Sequence, residues 1–592
     1  MRQFFKFVFA SCLGVFLAGI ALLFFGIASV AGLASGGDDE TLKEVKENSV
    51  LEIKLENDIP ELTDNAEKSP FKSSKIVGLH DLTEALDRAA HDDKIKGAVI
   101  NTQSVSVGFA SLSVLRRAIE NFKKSGKFLY AYGDSYTQGA YYLASTADSI
   151  VLNPNGEVDF KGIAATIPFM KDLFDRLDVK WQIYYAGQFK SATEPLRLDK
   201  MSEQNKLQTR EYIGGLYGSF LESVSKSRKI PVSDLQNIAN GLESRTAHRA
   251  AALKLVDTEG YYDEMLAMIK RKMGLKNKEK INSISLNDYA QTYTKEVGSA
   301  KDKIAVIYAE GDIGYNDKDD KDGQIEGTRY AKMIRKLRQD DNVKAIVLRI
   351  NSGGGSAFAS DIIVRELALA HQEGKVIVSS FGDYAASGGY YIAMASDQIY
   401  AEPNTLTGSI GVFGVIPGLQ KTFKNKLGIS FDTVRTSKYA AMSGVNIDFT
   451  DDEGKIIQES VDSTYERFLH IVATNRKMTR DQVHAIAQGR VWLGNKGKEI
   501  GLVDQMGGLD EAIKGAATLA KLKEYRTTEY PKFKNGIQKF IDNYTGEKPA
   551  GDMAKTALKQ ELGENYEYIE FLQKMKQMRG PQMRIPMMVR LK

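Results

Sequence analysis

The chain has 592 residues, too long for one ordinary core, and suggests about three or four domain-sized units. Apolar residues make up 43% and charged residues 26%, the balance of a chain that folds through most of its length. The net charge of +4 gives a nucleic-acid partner no electrostatic support, the six histidines lack metal-ligand spacing, and the single cysteine, Cys12, excludes an intrachain disulfide.

At the N-terminus, Arg2 and Lys6 precede an uncharged apolar run, 7–37, closed by Asp38, Asp39 and Glu40. About 20 apolar residues span a bilayer, and a cleavable signal usually has a shorter apolar region, so the run predicts a retained transmembrane helix. Basic residues before it and acidic ones after it place the N-terminus inside and the rest of the chain outside the cytoplasm. A long signal cleaved after Ala34 is the alternative. The anchor and its linker take residues 1–45.

From there the chain repeats itself. Residues 95–104 match 343–352, Phe109-Ala-Ser111 matches Phe358-Ala-Ser360, Gly133-Asp134 matches Gly382-Asp383, and Leu255-Val-Asp257 matches Leu502-Val-Asp504. The offset stays near 248 residues throughout, and chance does not give a collinear series. Two copies of one domain are expected, at 46–299 and 300–525. In the second copy the pattern predicts a strand at 304–308, an amphipathic helix at 329–339 and a buried strand at 345–350. A helix at 359–371 and a strand at 375–380 follow. Strands alternating with helices imply parallel pairing and an α/β fold. The last segment, 526–592, rich in Lys, Arg and Met, reads as an exposed or packed tail.

Two segments carry chemistry. Asn351-Ser-Gly-Gly-Gly-Ser356 joins a strand to a helix, and its glycines allow close approach of backbone N–H groups to a ligand. Walker A spacing is absent, which leaves an oxyanion hole or a tight structural turn. Next comes Phe381-Gly-Asp-Tyr-Ala-Ala-Ser-Gly-Gly-Tyr-Tyr391, with Ser387 among small residues just past a strand end. There the N–H of Gly388 would face an oxyanion at a helix start.

These motifs, with Leu406-Thr-Gly-Ser-Ile-Gly411, Gly489-Arg-Val-Trp-Leu-Gly494 and Gly501-Leu-Val-Asp504, resemble the signal peptide peptidases of the protease IV type. More remotely they resemble the Clp protease subunit and the crotonase superfamily. The resemblance covers the whole chain and implies two tandem Clp/crotonase-like domains of ββα repeats after the anchor. Gly353 stands where the family usually has proline.

The resemblance implies that Ser387 is the nucleophile. It also implies that the general base is Lys190, in Gly187-Gln-Phe-Lys-Ser-Ala-Thr-Glu-Pro195. A lysine serves as base only when neutral, and burial among groups such as Tyr184, Tyr185 and Phe189 lowers its pKa. The oxyanion donors would be Gly355 and Gly388, and Ser191, Thr407 and Ser409 are candidate hydroxyls to orient the lysine. No histidine sits in a comparable motif, which favours a Ser-Lys dyad over a triad. In repeat register Ser387 falls on Gln138, and the Lys190 segment falls on Tyr439-Ala440, so each copy keeps one half of a site.

The expected activity is that of a serine endopeptidase of hydrophobic peptides, above all cleaved signal peptides, needing neither metal nor cofactor. The family further implies a homotetramer in the inner membrane with its catalytic domains on the periplasmic side. The rival readings are an acyl-CoA enzyme on the same scaffold and a non-catalytic membrane scaffold.

Overall fold

The computed structural model describes residues 14, 44–55, 58–63, 76–292, 300–315, 324–442, 444–532 and 580–585. The expected anchor, apart from Gly14 and the end of its linker, and most of the tail lie outside these residues. Among the described residues no helix is long and apolar enough to cross a membrane.

The two repeats build matching parallel sheets. In the first, Ser49–Ile53 lies between Ile95–Ile100 and Asn282–Ser285. Phe128–Gly133, Ser149–Leu152 and Thr258–Glu259 continue the sheet beyond Ile95–Ile100. In the second, Lys303–Glu310, Val343–Ser352, Val376–Ala386, Gln398–Ala401 and Gln505–Met506 follow the same order. Arg526–Tyr530 takes the place of Asn282–Ser285, beside Lys303–Glu310, so this sheet runs on past residue 525.

The central strands are short apolar runs buried on both faces, as parallel strands covered by helices require. Ile346, Val347, Leu348 and Ile350 are all fully buried. The helix Gly327–Arg338 buries Tyr330, Ala331, Ile334 and Leu337, one face at helical spacing. Glu326 caps it by accepting from the N–H groups of Thr328 and Arg329. Each repeat also has one long helix, Glu203–Arg228 and Asp451–Arg476. Ser202 caps the first, and a Thr450–Glu453 capping box starts the second. The helices end at Lys229 and Lys477, both left-handed, with φ of 56° and 53°.

The strand expected at 375–380 extends to Ala386 because it changes partner along its length. Val378–Ser380 pair with Gln398–Ala401, and Tyr384–Ala386 pair with Leu406–Gly408. That extension carries the chain to Ser387.

Buried polar groups tie the repeats together. Arg349 donates from Nε and Nη2 to the Glu61 carboxylate at 2.9 and 3.1 Å. The Asp383 carboxylate accepts from the Ser111 N–H at 2.8 Å and its hydroxyl at 2.7 Å. Burial raises the Asp383 carboxyl above the usual range. Burial, with the neighbouring Glu61 charge, lifts Glu310 to about 7. A third, mixed sheet draws on both repeats. Its strands run in the order Ile325–Glu326, Ile313–Gly314, Gly354–Ser356, Gln582–Arg584, Val412–Gly418 and Lys180–Ala186. The tail thus supplies a strand to its middle.

Candidate active site

Ser387 follows the strand Val376–Ala386 and precedes the helix Gly388–Ile392. Its φ of 55° and ψ of −116° are costly for a residue with a Cβ, by about 1–3 kcal/mol. The surrounding bonds hold it there. Its N–H donates to the Gly408 carbonyl at 2.8 Å, and its carbonyl accepts from the Tyr391 N–H at 2.8 Å. The Thr407 hydroxyl donates to the Ala385 carbonyl at 2.7 Å, fixing the strand end just before it. This sharp strand-to-helix turn presents the serine hydroxyl at the sheet's end, as nucleophile-bearing turns in α/β hydrolases do.

Lys190 arrives from the other repeat. Lys180–Ala186 pairs antiparallel with Val412–Gly418 along its whole length, from Lys180 opposite Gly418 to Ala186 opposite Val412. The chain then turns at Gly187, whose φ of 109° suits glycine, and packs on the loop 488–490. The Phe189 N–H donates to the Gln488 carbonyl at 2.9 Å. A side chain at Gly489 would approach the Lys190 backbone nitrogen to 2.7 Å, so only glycine lets the loops close. This gives Gly489-Arg-Val-Trp-Leu-Gly494 its physical role.

The result joins residues far apart in sequence within one chain. The Lys190 Nζ donates to the Ser387 Oγ at 2.8 Å. It also reaches the Ser409 Oγ at 3.1 Å and the Ser409 carbonyl at 3.2 Å. The lysine is 2% exposed and Ser387 is fully buried. Loss of solvation alone pushes the Lys190 ammonium well below the usual lysine range, and among the described residues no carboxylate offsets it. Ser409 is itself left-handed, with φ of 50°, and is fixed by its N–H donating to the Arg490 carbonyl at 2.7 Å.

The glycine turn closes the site from the other side. Gly354 has φ of 99°, and the Ser352 hydroxyl pins the turn by accepting from the Gly354 N–H at 3.1 Å and donating to the Gly311 carbonyl at 2.6 Å. A Cβ on Gly388 would lie 3.1 Å from the Gly355 nitrogen. The backbone nitrogens of Gly355 and Gly388 therefore share one corner, beside Ser387.

Of the three hydroxyls expected around the lysine, the structure brings only Ser409 to it. Thr407 bonds the strand end instead. The Ser191 hydroxyl accepts from Gln208 Nε2 at 3.0 Å, because the chain turns into a short 3-10 helix after Lys190 and points this side chain away. Gln208 also donates to the Phe189 carbonyl at 3.1 Å and so holds the lysine loop from the long helix. Glu194 holds it from below. Its carboxylate is buried and accepts from the Ser202 N–H and hydroxyl and from Asn205 Nδ2, at 3.2, 2.5 and 2.9 Å. Sequence reasoning missed both residues in this role, although Glu194 lies inside the quoted lysine motif. Gln208 has no motif to reveal it.

In the first repeat, Gln138 stands where Ser387 stands in the second. Its amide donates to the Gly162 carbonyl at 2.8 Å and accepts from the N–H groups of Lys161 and Gly162. It braces a loop where the other copy has Ser387.

Residues 121–276 and 370–523 match the family described as Peptidase family S49. The chain is 38% identical to Protease 4 of Salmonella typhi over 79% of its own length and 76% of that protein. It is 33% identical to Protease 4 of Haemophilus influenzae, covering 86% of this chain and 84% of that one. With the chloroplastic serine protease SPPA of Arabidopsis thaliana it shares 31% identity over 80% of this chain and 69% of that protein. The chain therefore belongs to peptidase family S49, as a serine protease built from two tandem domains of that family.

Proposed function

We propose that this protease works through a Ser387–Lys190 dyad and degrades hydrophobic peptides, including signal peptides left in the membrane after their release. The observation that carries the reading is the 2.8 Å contact between Lys190 Nζ and Ser387 Oγ, made by a buried lysine that has no carboxylate partner among the described residues. Neutral Lys190 takes the proton from Ser387, whose oxygen attacks the peptide carbonyl carbon. The N–H groups of Gly355 and Gly388 stabilise the oxyanion. The protonated lysine then gives its proton to the leaving amine, and water, deprotonated by the same lysine, hydrolyses the ester. Ser409 positions the lysine through its hydroxyl and carbonyl. No step calls for a metal or cofactor.

The N-terminal apolar run supports an inner-membrane anchor with the catalytic repeats on the periplasmic side, and the family resemblance supports a homotetramer. The name of an Enterococcus faecium relative, putative signal peptide peptidase SppA, supports the substrate class, and the names of the longer relatives support proteolysis. An acyl-CoA enzyme would have no use for a lysine on the serine, and a scaffold would not keep both halves of the site in contact.

The test is to assay the detergent-solubilised full chain on casein and on a signal peptide, beside Ser387→Ala and Lys190→Ala. Both variants are expected to fall to background, with a serine-directed inhibitor forming an adduct at Ser387 in the wild type. Full activity in either variant refutes the dyad.

A further inference from the structure

Arg490 belongs to the second repeat, but its guanidinium reaches into the first. Nη2 donates at 2.6 Å to the carboxylate of Glu211, on the long helix Glu203–Arg228. The guanidinium carbon lies 5.0 Å from the ring centre of Phe189, the residue before Lys190. Within its own repeat it lies 4.1 Å from the ring centre of Trp492. Both are cation–π distances, and arginine suits them because its charge is spread over a plane. The Trp492 indole is itself fixed, by donating to the Ile486 carbonyl at 2.9 Å.

The backbone of the same residue serves the other side of the lysine. The Arg490 carbonyl accepts from the Ser409 N–H at 2.7 Å, and Ser409 meets Lys190 Nζ through its hydroxyl and its carbonyl. Arg490 thus acts on Lys190 by two routes, through Phe189 and through Ser409. The residues flanking it are bonded to the first repeat as well. The Gln488 carbonyl accepts from the Phe189 N–H, and the Val491 N–H donates to Gln208 Oε1 at 3.4 Å. The side chains of Arg490 and Glu211 are 21% and 48% exposed. A pair this open to water contributes little to global stability, so its consequence is local.

The two repeats differ at this position. Leu255-Val-Asp257 and Leu502-Val-Asp504 set the register, and in it Leu242 stands for Gly489, both at positive φ, 47° and 79°. Glu243 and Arg245 then stand where Arg490 and Trp492 do. The copy with Gln138 in place of Ser387 has neither the arginine nor the indole there.

Covering the lysine matters as much as placing it. Lys190 is 2% exposed, and loss of solvation is what lowers its pKa. The ionisable groups on the elements around it are Tyr185, Glu194 and Arg197 on its own segment, Glu211 and Tyr465 on the two long helices, and Arg490 opposite. Water admitted between Phe189 and the loop 488–490 would restore charge to the amine.

Resting on the proposed dyad, we infer that Arg490 is a positioning residue for its base. The guanidinium clasps Phe189 and Glu211 of the first repeat to the loop 488–490, which seats Lys190 on Ser387 and keeps water from its amine.

The test uses the detergent-solubilised full chain on a fluorogenic signal peptide, from about pH 6 to about pH 10. Arg490→Ala should lower kcat by about 10–100-fold at neutral pH with KM within about twofold, since a misplacement of about 1 Å costs that much. Its lysine meets water, so the midpoint of the rise in kcat with pH should move up by about one unit, recovering part of the loss at high pH. Arg490→Lys keeps a charge for Glu211 without the flat stacking group and should fall between Arg490→Ala and wild type. Arg117→Ala breaks another pair between the repeats, with Glu402, and should leave the midpoint in place. Wild-type kcat in Arg490→Ala overturns the inference. A slower Arg490→Ala with an unmoved midpoint, or an equal shift in Arg117→Ala, reduces Arg490 to a structural contact and overturns it too. Full activity in Lys190→Ala overturns the dyad itself, and this inference falls with it.

Discussion

Replacing Lys190 by methionine separates what this side chain does for catalysis from what it costs the fold. Methionine keeps the unbranched apolar stem and drops the amine, together with the bonds to Ser387 and to both oxygens of Ser409. Loss of a general base lowers turnover by about 10²–10⁴-fold. Each lost hydrogen bond is worth about 1 kcal/mol to stability. Against that stands the proton. The unfolded chain carries lysine protonated up to about pH 10.4, whereas burial holds the folded Lys190 neutral far below that. The unfolded state therefore binds more protons, and wild-type stability rises with pH by about 1.4 kcal/mol per unit between the lowered and the ordinary lysine pKa. The methionine variant lacks this dependence. Relative to wild type it should be most stable at neutral pH and lose that advantage as pH rises toward 10. Activity should likewise rise with pH in the wild type as Lys190 loses its proton. Urea denaturation of both proteins across this range, with peptidase kinetics in parallel, reads out both effects. A variant retaining more than a tenth of wild-type activity, or a stability difference that does not change with pH, would refute the account of a neutral, buried base.

Three further outcomes follow from the geometry. Gly489→Ala forces a Cβ at positive φ against the Lys190 backbone and should lower kcat at least tenfold. Labelling of Ser387 by a fluorophosphonate, which reports its activation, should slow in step, and unchanged labelling would count against the role given to this loop. Glu61→Ala leaves Arg349 buried without its carboxylate and should cost about 3–5 kcal/mol in a denaturation experiment. A loss below 1 kcal/mol would show that the pair does not join the repeats. Glu310, whose carboxyl is raised to about 7, favours the folded state when protonated. That contribution is complete below the ordinary glutamate pKa and is lost as pH rises through 7. Glu310→Gln should therefore be more stable than wild type at pH 8.5 and lose that advantage by pH 5, as thermal melts at the two pH values would show.

The local elements were legible because their signals are local. The apolar runs at 304–308 and 345–350, the helical spacing at 329–339 and the serine between small residues at 387 all depend on near neighbours in sequence. The repeat was legible as well, since a constant offset needs no three-dimensional information, and it showed that the first copy lacks a serine at Gln138. The supporting hydroxyls were less legible. Ser191, Thr407 and Ser409 look alike as sequence, yet only Ser409, held at positive φ by the Arg490 carbonyl, turns its oxygens to the lysine.

The sequence by itself determined the α/β repeats and marked the two halves of the proposed site, around Lys190 and Ser387. Only the tertiary structure decided that these halves meet. The contact depends on Lys180–Ala186 pairing with Val412–Gly418, a register set by bonds between segments more than 200 residues apart. The same holds for the tail. Nothing in the composition of 580–585 distinguishes a packed strand from a loose end. Its place beside Gly354–Ser356 follows from the backbone donors and the apolar pockets that the two repeats leave between them. A strand's partners are chosen by what edge and what pocket remain unfilled, and that is a property of the assembled fold.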